Sequence, residues 1–79
     1  MKPPTRRQRD YKRMAATEYR WATLARKEGN DNARQAKRAI TQHHPTLAKG
    51  YLQEARWDFW WWKRRVALGN KYARQAGRR

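Results

Sequence analysis

The sequence predicts an all-α protein: a small three-helix bundle, in which a helical hairpin is followed by a long Trp-rich C-terminal helix, with basic arms at both ends. Three observations lead there. Apolar residues recur at spacings of three and four along most of the chain, the period of one face of a helix. A capping box, a Gly-Asn-Asp-Asn stretch and a His-Pro pair divide that pattern into segments. Cysteine is absent from the 79 residues, so neither disulfides nor a thiolate zinc site can reinforce the fold. The length allows a single domain, residues 1–79, with a small core.

The elements follow in order. Residues 1–5 form a basic N-terminal arm. Thr5 and Gln8 make a Thr-x-x-Gln capping box, which starts a first helix over about 6–28. Tyr11, Met14, Trp21 and Ala25 form its stripe, widened by Ala15, Tyr19 and Ala22. Gly29 suits a C′ position, and Asn30 or Asp31 suits the next N-cap. A second helix over about 31–43 then carries small residues, Ala33, Ala36 and Ala39, with Ile40. His44 precedes Pro45, which disfavours helical geometry at His44 and ends the element.

A third helix is expected over about 46–76. Ala48, Leu52, Ala55, Phe59, Trp62, Val66, Gly69, Ala73 and Ala76 alternate in steps of four and three, an a/d-like seam. On this reading Phe59 and Trp62 are core, and the helix either continues or kinks at Gly69–Asn70, because Gly costs roughly 1 kcal/mol in a helix interior. Trp57 and Trp61 fall on another side, in line with Leu68 and Tyr72. Trp60 lies among cations, with Arg56 one turn before it and Lys63 and Arg64 one turn after.

Charge narrows the class of partner. Lys and Arg number 21 against six acids, a net charge of +15 that opposes compaction unless a polyanion relieves it. The charge concentrates at the two ends, and the Trp-rich stretch closes the only net-acidic segment, residues 51–62. Cations neutralise phosphates while aromatic faces stack on unpaired bases. The expected nucleic-acid-binding residues are therefore Arg56, Trp60, Lys63, Arg64, Arg65, Lys71, Arg74, Arg78 and Arg79 from the C-terminal half. Arg6, Arg7, Arg9, Arg34, Lys37 and Arg38 join them from the N-terminal half. The bland counterparts are a solvated charge run, and Trp60 held in cation–π contact by its own neighbours. DNA and RNA are not distinguished.

The alternative is a protein-binding accessory factor, for example a phage-encoded modulator of a host protein. Its hot spot would be Trp57, Trp60, Trp61, Leu68 and Tyr72, and its basic charge would steer it to an acidic partner. A second alternative, an anionic membrane surface, fits interfacial Trp beside Lys and Arg, but small residues in a seam serve helix contact rather than lipid insertion. Homo-oligomerisation through a spare Trp face stays open.

Catalysis is not expected. His43 and His44 are adjacent and diverge on a helix, so they do not chelate one ion; a cap or surface role fits better. Glu54 and Asp58 read as ion-pair partners for neighbouring helices, as does Glu18. Ser and Cys nucleophiles are absent, as is a phosphate-cradling glycine loop. No cofactor or metal is implied. With no secretory signal and no 18-residue apolar run, a cytoplasmic location is expected.

The segment Leu24–Ile40 has the Ala25 and Gly29 placement of a helix-turn-helix. Gln35 and Arg38 stand where that motif needs apolar seating residues, so an ordinary hairpin is expected there. The echo of "NARQAKR" at 32–38 in "YARQAGR" at 72–78 reads as chance composition. "LGNKY", Leu68–Tyr72, resembles the Leu-Gly-x-x-Tyr element of tetratricopeptide repeats, without the remaining landmarks of that 34-residue pattern. "LAKGY", Leu47–Tyr51, with the later "YAR", is similar to scattered positions of an all-helical, rRNA-embedded ribosomal protein of the large subunit; the N-terminal half shows no such similarity.

Overall fold

A computed structural model describes residues 3–77 as one antiparallel helical hairpin. α1 spans Arg6–Thr41 and α2 spans Pro45–Gly77. The hairpin is a rod, 62 × 13 × 12 Å between Cα extremes, with a radius of gyration of 17.9 Å. A compact chain of this length would have a radius near 12 Å.

The two ends of α1 are closed as its sequence specifies. The Thr5 hydroxyl accepts from the Gln8 N–H at 3.1 Å, and the Thr5 N–H donates to the Gln8 side chain at 2.9 Å, completing the capping box. At the other end His43 adopts φ 61°, and the N–H groups of His43 and His44 donate to the carbonyls of Ile40 and Ala39. That is the Schellman pattern, which satisfies the last carbonyls while reversing the chain. Pro45 then opens α2, where its missing N–H and fixed φ suit the first helical position.

The expected break at Gly29 does not occur. The first two expected helices, 6–28 and 31–43, are one helix that runs through Gly29, Asn30 and Asp31. The hairpin expected over Leu24–Ile40 is absent, because that whole segment lies inside α1. The reason is tertiary. Gly29 is buried, and the Phe59 ring of α2 lies where a β-carbon would be, 2.8 Å from an ideal Cβ. The glycine is a notch for a ring rather than a helix cap. Gly69 does the same for Tyr19, and α2 continues uninterrupted through Gly69–Asn70.

The seam has a seven-residue period on both helices. On α1, Ala15, Ala22, Gly29 and Ala36 form one buried row. A second row runs Tyr11, Glu18, Ala25, Asn32 and Ala39. On α2 the rows are Ala48, Ala55, Trp62, Gly69 and Ala76, then Tyr51, Asp58, Arg65 and Tyr72. A period of 3.5 residues is that of a coiled-coil seam. The second α2 row corrects the sequence expectation by one residue. Leu52 is 43% exposed and Ala73 is exposed, whereas Asp58 is buried. Phe59 and Trp62 reach the seam but are half-buried, and no large side chain is fully enclosed. The core is alanine and glycine.

Polar residues occupy that second row because each finds a partner across the hairpin. Asn32 donates to the Asp58 carboxylate at 2.7 Å, and Arg65 donates to Glu18 at 3.0 Å. Tyr11 stacks on Tyr72, with ring centroids 6.2 Å apart. A one-heptad slip would leave the buried carboxylate unpaired, so these layers set the register.

The echo read as chance composition belongs to a longer repeat. A constant shift of 40 residues carries Tyr11 onto Tyr51, Ala15 onto Ala55, Trp21 onto Trp61 and Gly29-Asn30 onto Gly69-Asn70. The same shift carries Ala33-Arg-Gln-Ala36 onto Ala73-Arg-Gln-Ala76, and pairs Glu18 with Asp58 and Tyr19 with Phe59. The contacts obey it: Tyr19 on Gly69 is the image of Phe59 on Gly29. Since the helices are antiparallel, the shift is an approximate twofold rotation. The pairs Arg26–Trp62 and Glu18–Arg65 place its axis near Leu24 on α1 and Trp62–Arg64 on α2.

Candidate functional site

The seam divides the hairpin into two sides. On one, Trp21, Leu24, Ala25 and Glu28 of α1 and Trp57, Asp58, Trp61 and Arg65 of α2 line an open groove of about 260 Å³. The other, the rear, carries the two ring-on-glycine contacts and Arg26 over Trp62 at 5.2 Å. Beyond the rear lie the outer edges of the helices, opposite the seam.

Charge is sorted between these sides. Glu18 and Asp58 are in the seam, and helical periodicity puts the other four acids, Asp10, Glu28, Asp31 and Glu54, on the tryptophan side. The rear and the outer edges therefore hold no acid among the described residues. Down the outer edge of α1 run Arg6, Arg13, Arg20, Lys27 and Arg34, all exposed, one every seven residues. At 1.5 Å per residue this row extends about 42 Å. Arg9, Lys12, Arg26 and Lys37 flank it on the rear of α1, facing Lys49, Arg56 and Lys63 of α2, with Arg74 on the outer edge of α2.

The expected binding residues are thus distributed rather than gathered. Arg6, Arg9, Lys37, Arg56, Lys63 and Arg74 belong to the acid-free surface; Arg34 stands at its border, with its guanidinium 3.4 Å from the Asp31 carboxylate. Arg7, Arg38, Arg64 and Lys71 fall on the tryptophan side, where the four acids balance them. Arg65 is half-buried, held by Glu18 and lying 5.1 Å from the Trp61 ring. Arg78 and Arg79 lie outside the described residues. The two ends of the chain lie at the same end of the rod, since Tyr11 contacts Tyr72; residues 3–5 of the expected N-terminal arm precede α1, and Lys71 and Arg74 near the other end are helical. Sequence reasoning missed Arg20 and Lys27, although their seven-residue spacing from Arg6, Arg13 and Arg34 was readable.

The tryptophans form one cluster. Trp57 and Trp60 stack in parallel, centroids 5.5 Å apart at 8°, and Trp61 meets both edge-on. Trp57 is 56% exposed, Trp60 48% and Trp61 half-buried. Trp57 lies one turn before Trp60, and Arg64, one turn after, has its guanidinium 5.6 Å from the same ring. The Trp60 ring is therefore engaged by two neighbours within α2, and a stacking base would compete with them. Leu68 flanks Trp61 and is half-buried, while Tyr72 belongs to the seam. α1 contributes Trp21, 54% exposed, and Leu24, 48% exposed, which the expected interface had not included.

No helix among the described residues is long and apolar enough to cross a membrane. No family model, curated protein or solved structure matches the chain.

Proposed function

We propose that this protein is a non-enzymatic nucleic-acid-binding protein that engages the phosphate backbone with its rear surface and outer edges. The observation that carries the reading is the belt of exposed cations centred on Arg6, Arg13, Arg20, Lys27 and Arg34, in which Arg34 alone among the described residues is paired with an acid, Asp31. A belt of this length neutralises several phosphates at once and releases their counterions, which supplies sequence-independent affinity. The same belt without a polyanion costs stability through self-repulsion. A charge run that served solubility alone would not need its acids confined to the opposite side.

Binding to duplex and single-stranded oligonucleotides as a function of salt tests this. For Arg20→Gln with Lys27→Gln, the slope of log affinity against log salt on duplex should flatten by about 1.8, the value for two lost phosphate contacts. Arg7→Gln with Arg64→Gln removes the same charge from the tryptophan side and should leave the slope nearly unchanged. Equal effects from both pairs, or binding that vanishes near physiological salt, would show that the charge acts only as a diffuse field.

The alternative reading, a protein-docking surface, is supported by a different observation: Trp21, Leu24 and Trp57 are exposed together on the side where charge balances.

A further inference from the structure

We propose that the tryptophan side is closed by a second copy of this chain, docked face to face so that each helix runs antiparallel across its own counterpart, giving a four-helix bundle with the basic edges outward. The occupant follows from how charge is arranged along each helix. On α1 the row Asp10, Thr17, Leu24, Asp31, Arg38 is centred on Leu24, at the level of the internal twofold axis. Rotating a second copy about that level brings Asp10 opposite Arg38 of the second copy, and Arg38 opposite its Asp10. On α2 the same rotation pairs Glu54 with Lys71, Trp57 with Leu68 and Trp61 with Arg64, because each pair is centred on Trp62–Lys63. Two helices of different sequence thus give complementary pairs about one axial level.

Asp10, Arg38, Glu54 and Lys71 are all exposed. None of them takes part in the two ion pairs found among the described residues, Arg34–Asp31 and Arg65–Glu18. The opposite orientation, with each α1 running along the other copy's α2, pairs Leu24 with Arg64 and sets Asp31 and Glu54 side by side. Charge therefore selects the antiparallel arrangement. The hairpin also lacks a second layer: its seam buries alanines and leaves its large side chains half-covered or open. Stacking another layer on an apolar stripe is how small helical folds complete a core.

Sedimentation equilibrium from low to high micromolar concentration, at physiological salt, tests the assembly, and cysteine cross-linking tests its geometry. The native chain has no cysteine, so a single introduced thiol reports one position. Leu24→Cys lies at the axis and should form a disulfide-linked dimer under mild oxidation. Thr23→Cys, on the rear, should not. Glu54→Lys should weaken the dimer about tenfold. Combining it with Lys71→Glu should restore the wild-type constant, because the reversed charges still face each other. A monomer at every concentration overturns the proposal and leaves the face to a different protein. Equal cross-linking at positions 23 and 24, or a double reversal no tighter than Glu54→Lys alone, overturns the arrangement.

Discussion

Replacing Gly69 by alanine pits helix propensity against packing, and the structure decides which wins. An alanine in a helix interior is better than glycine by about 1 kcal/mol. At Gly69, however, the new Cβ would sit 2.6 Å from Tyr19 Cε1 and 2.8 Å from Cδ1, where carbon contacts want 3.5–4.0 Å. The ring has to retreat by about 1 Å, and overpacking of that kind costs about 1–3 kcal/mol. Retreat also breaks the bond from the Tyr19 hydroxyl to Asn70 Oδ1, 2.6 Å long, worth about 1 kcal/mol. The net expectation is a loss of about 2 kcal/mol, a fall in Tm of about 10 °C for a chain this size. Thermal and urea denaturation followed by far-UV circular dichroism, at fixed protein concentration, reads it directly. The decisive comparison is the same substitution in a Tyr19→Ala background, where the ring is gone and Gly69→Ala should stabilise by about 1 kcal/mol. Gly50→Ala, with nothing within 4 Å of its Cβ, should stabilise by a similar amount in the native background. If Gly69→Ala stabilises with Tyr19 present as much as Gly50→Ala does, the ring-in-notch account is wrong.

Four further outcomes are expected. Asp58→Ala leaves the Asn32 amide without its partner and should cost about 1–3 kcal/mol in urea denaturation, whereas Asp58→Asn keeps an acceptor and should cost less. His43→Gly removes a left-handed penalty of about 1–2 kcal/mol and should raise Tm, while His44→Gly should not. Thr5→Ala removes the capping box, and hydrogen exchange should show the first turn of α1 fraying, at a cost of about 1 kcal/mol. Trp60→Ala should weaken single-strand binding by about 1–3 kcal/mol if the ring gives up Arg64 for a base, with duplex binding nearly unchanged. Equal losses on both substrates would mean that the indole serves only to shape the surface.

Much of the architecture was readable, and the errors share one cause. Thr5–Gln8 and His44-Pro45 were recognised because a cap and a proline act through bonds within four residues. The seam row Ala48–Ala55–Trp62–Gly69–Ala76 was also recognised, since its spacing is intrinsic to α2. What failed depended on the other helix. Gly29 looked like a terminus because the ring that fills its notch comes from Phe59, thirty residues on. Leu52 and Ala73 looked like core because Asp58 and Arg65, on the neighbouring row, are poor core residues until Asn32 and Glu18 are known to face them. Among the site residues, the clustered terminal cations drew notice and the widely spaced edge row did not. A row spaced by sevens becomes a surface only once α1 is known to be unbroken from Arg6 to Thr41.

A seam of alanine and glycine also has a spectroscopic consequence. With the interior too narrow for an indole, none of the five tryptophans is buried, and Trp21, Trp57 and Trp60 keep about half their surface in solvent. Emission from the folded chain should already be red-shifted, so unfolding will move it little. Covering the cluster will move it to the blue. In this protein the intrinsic fluorophores report on what docks against the rod far more than on whether the rod is folded.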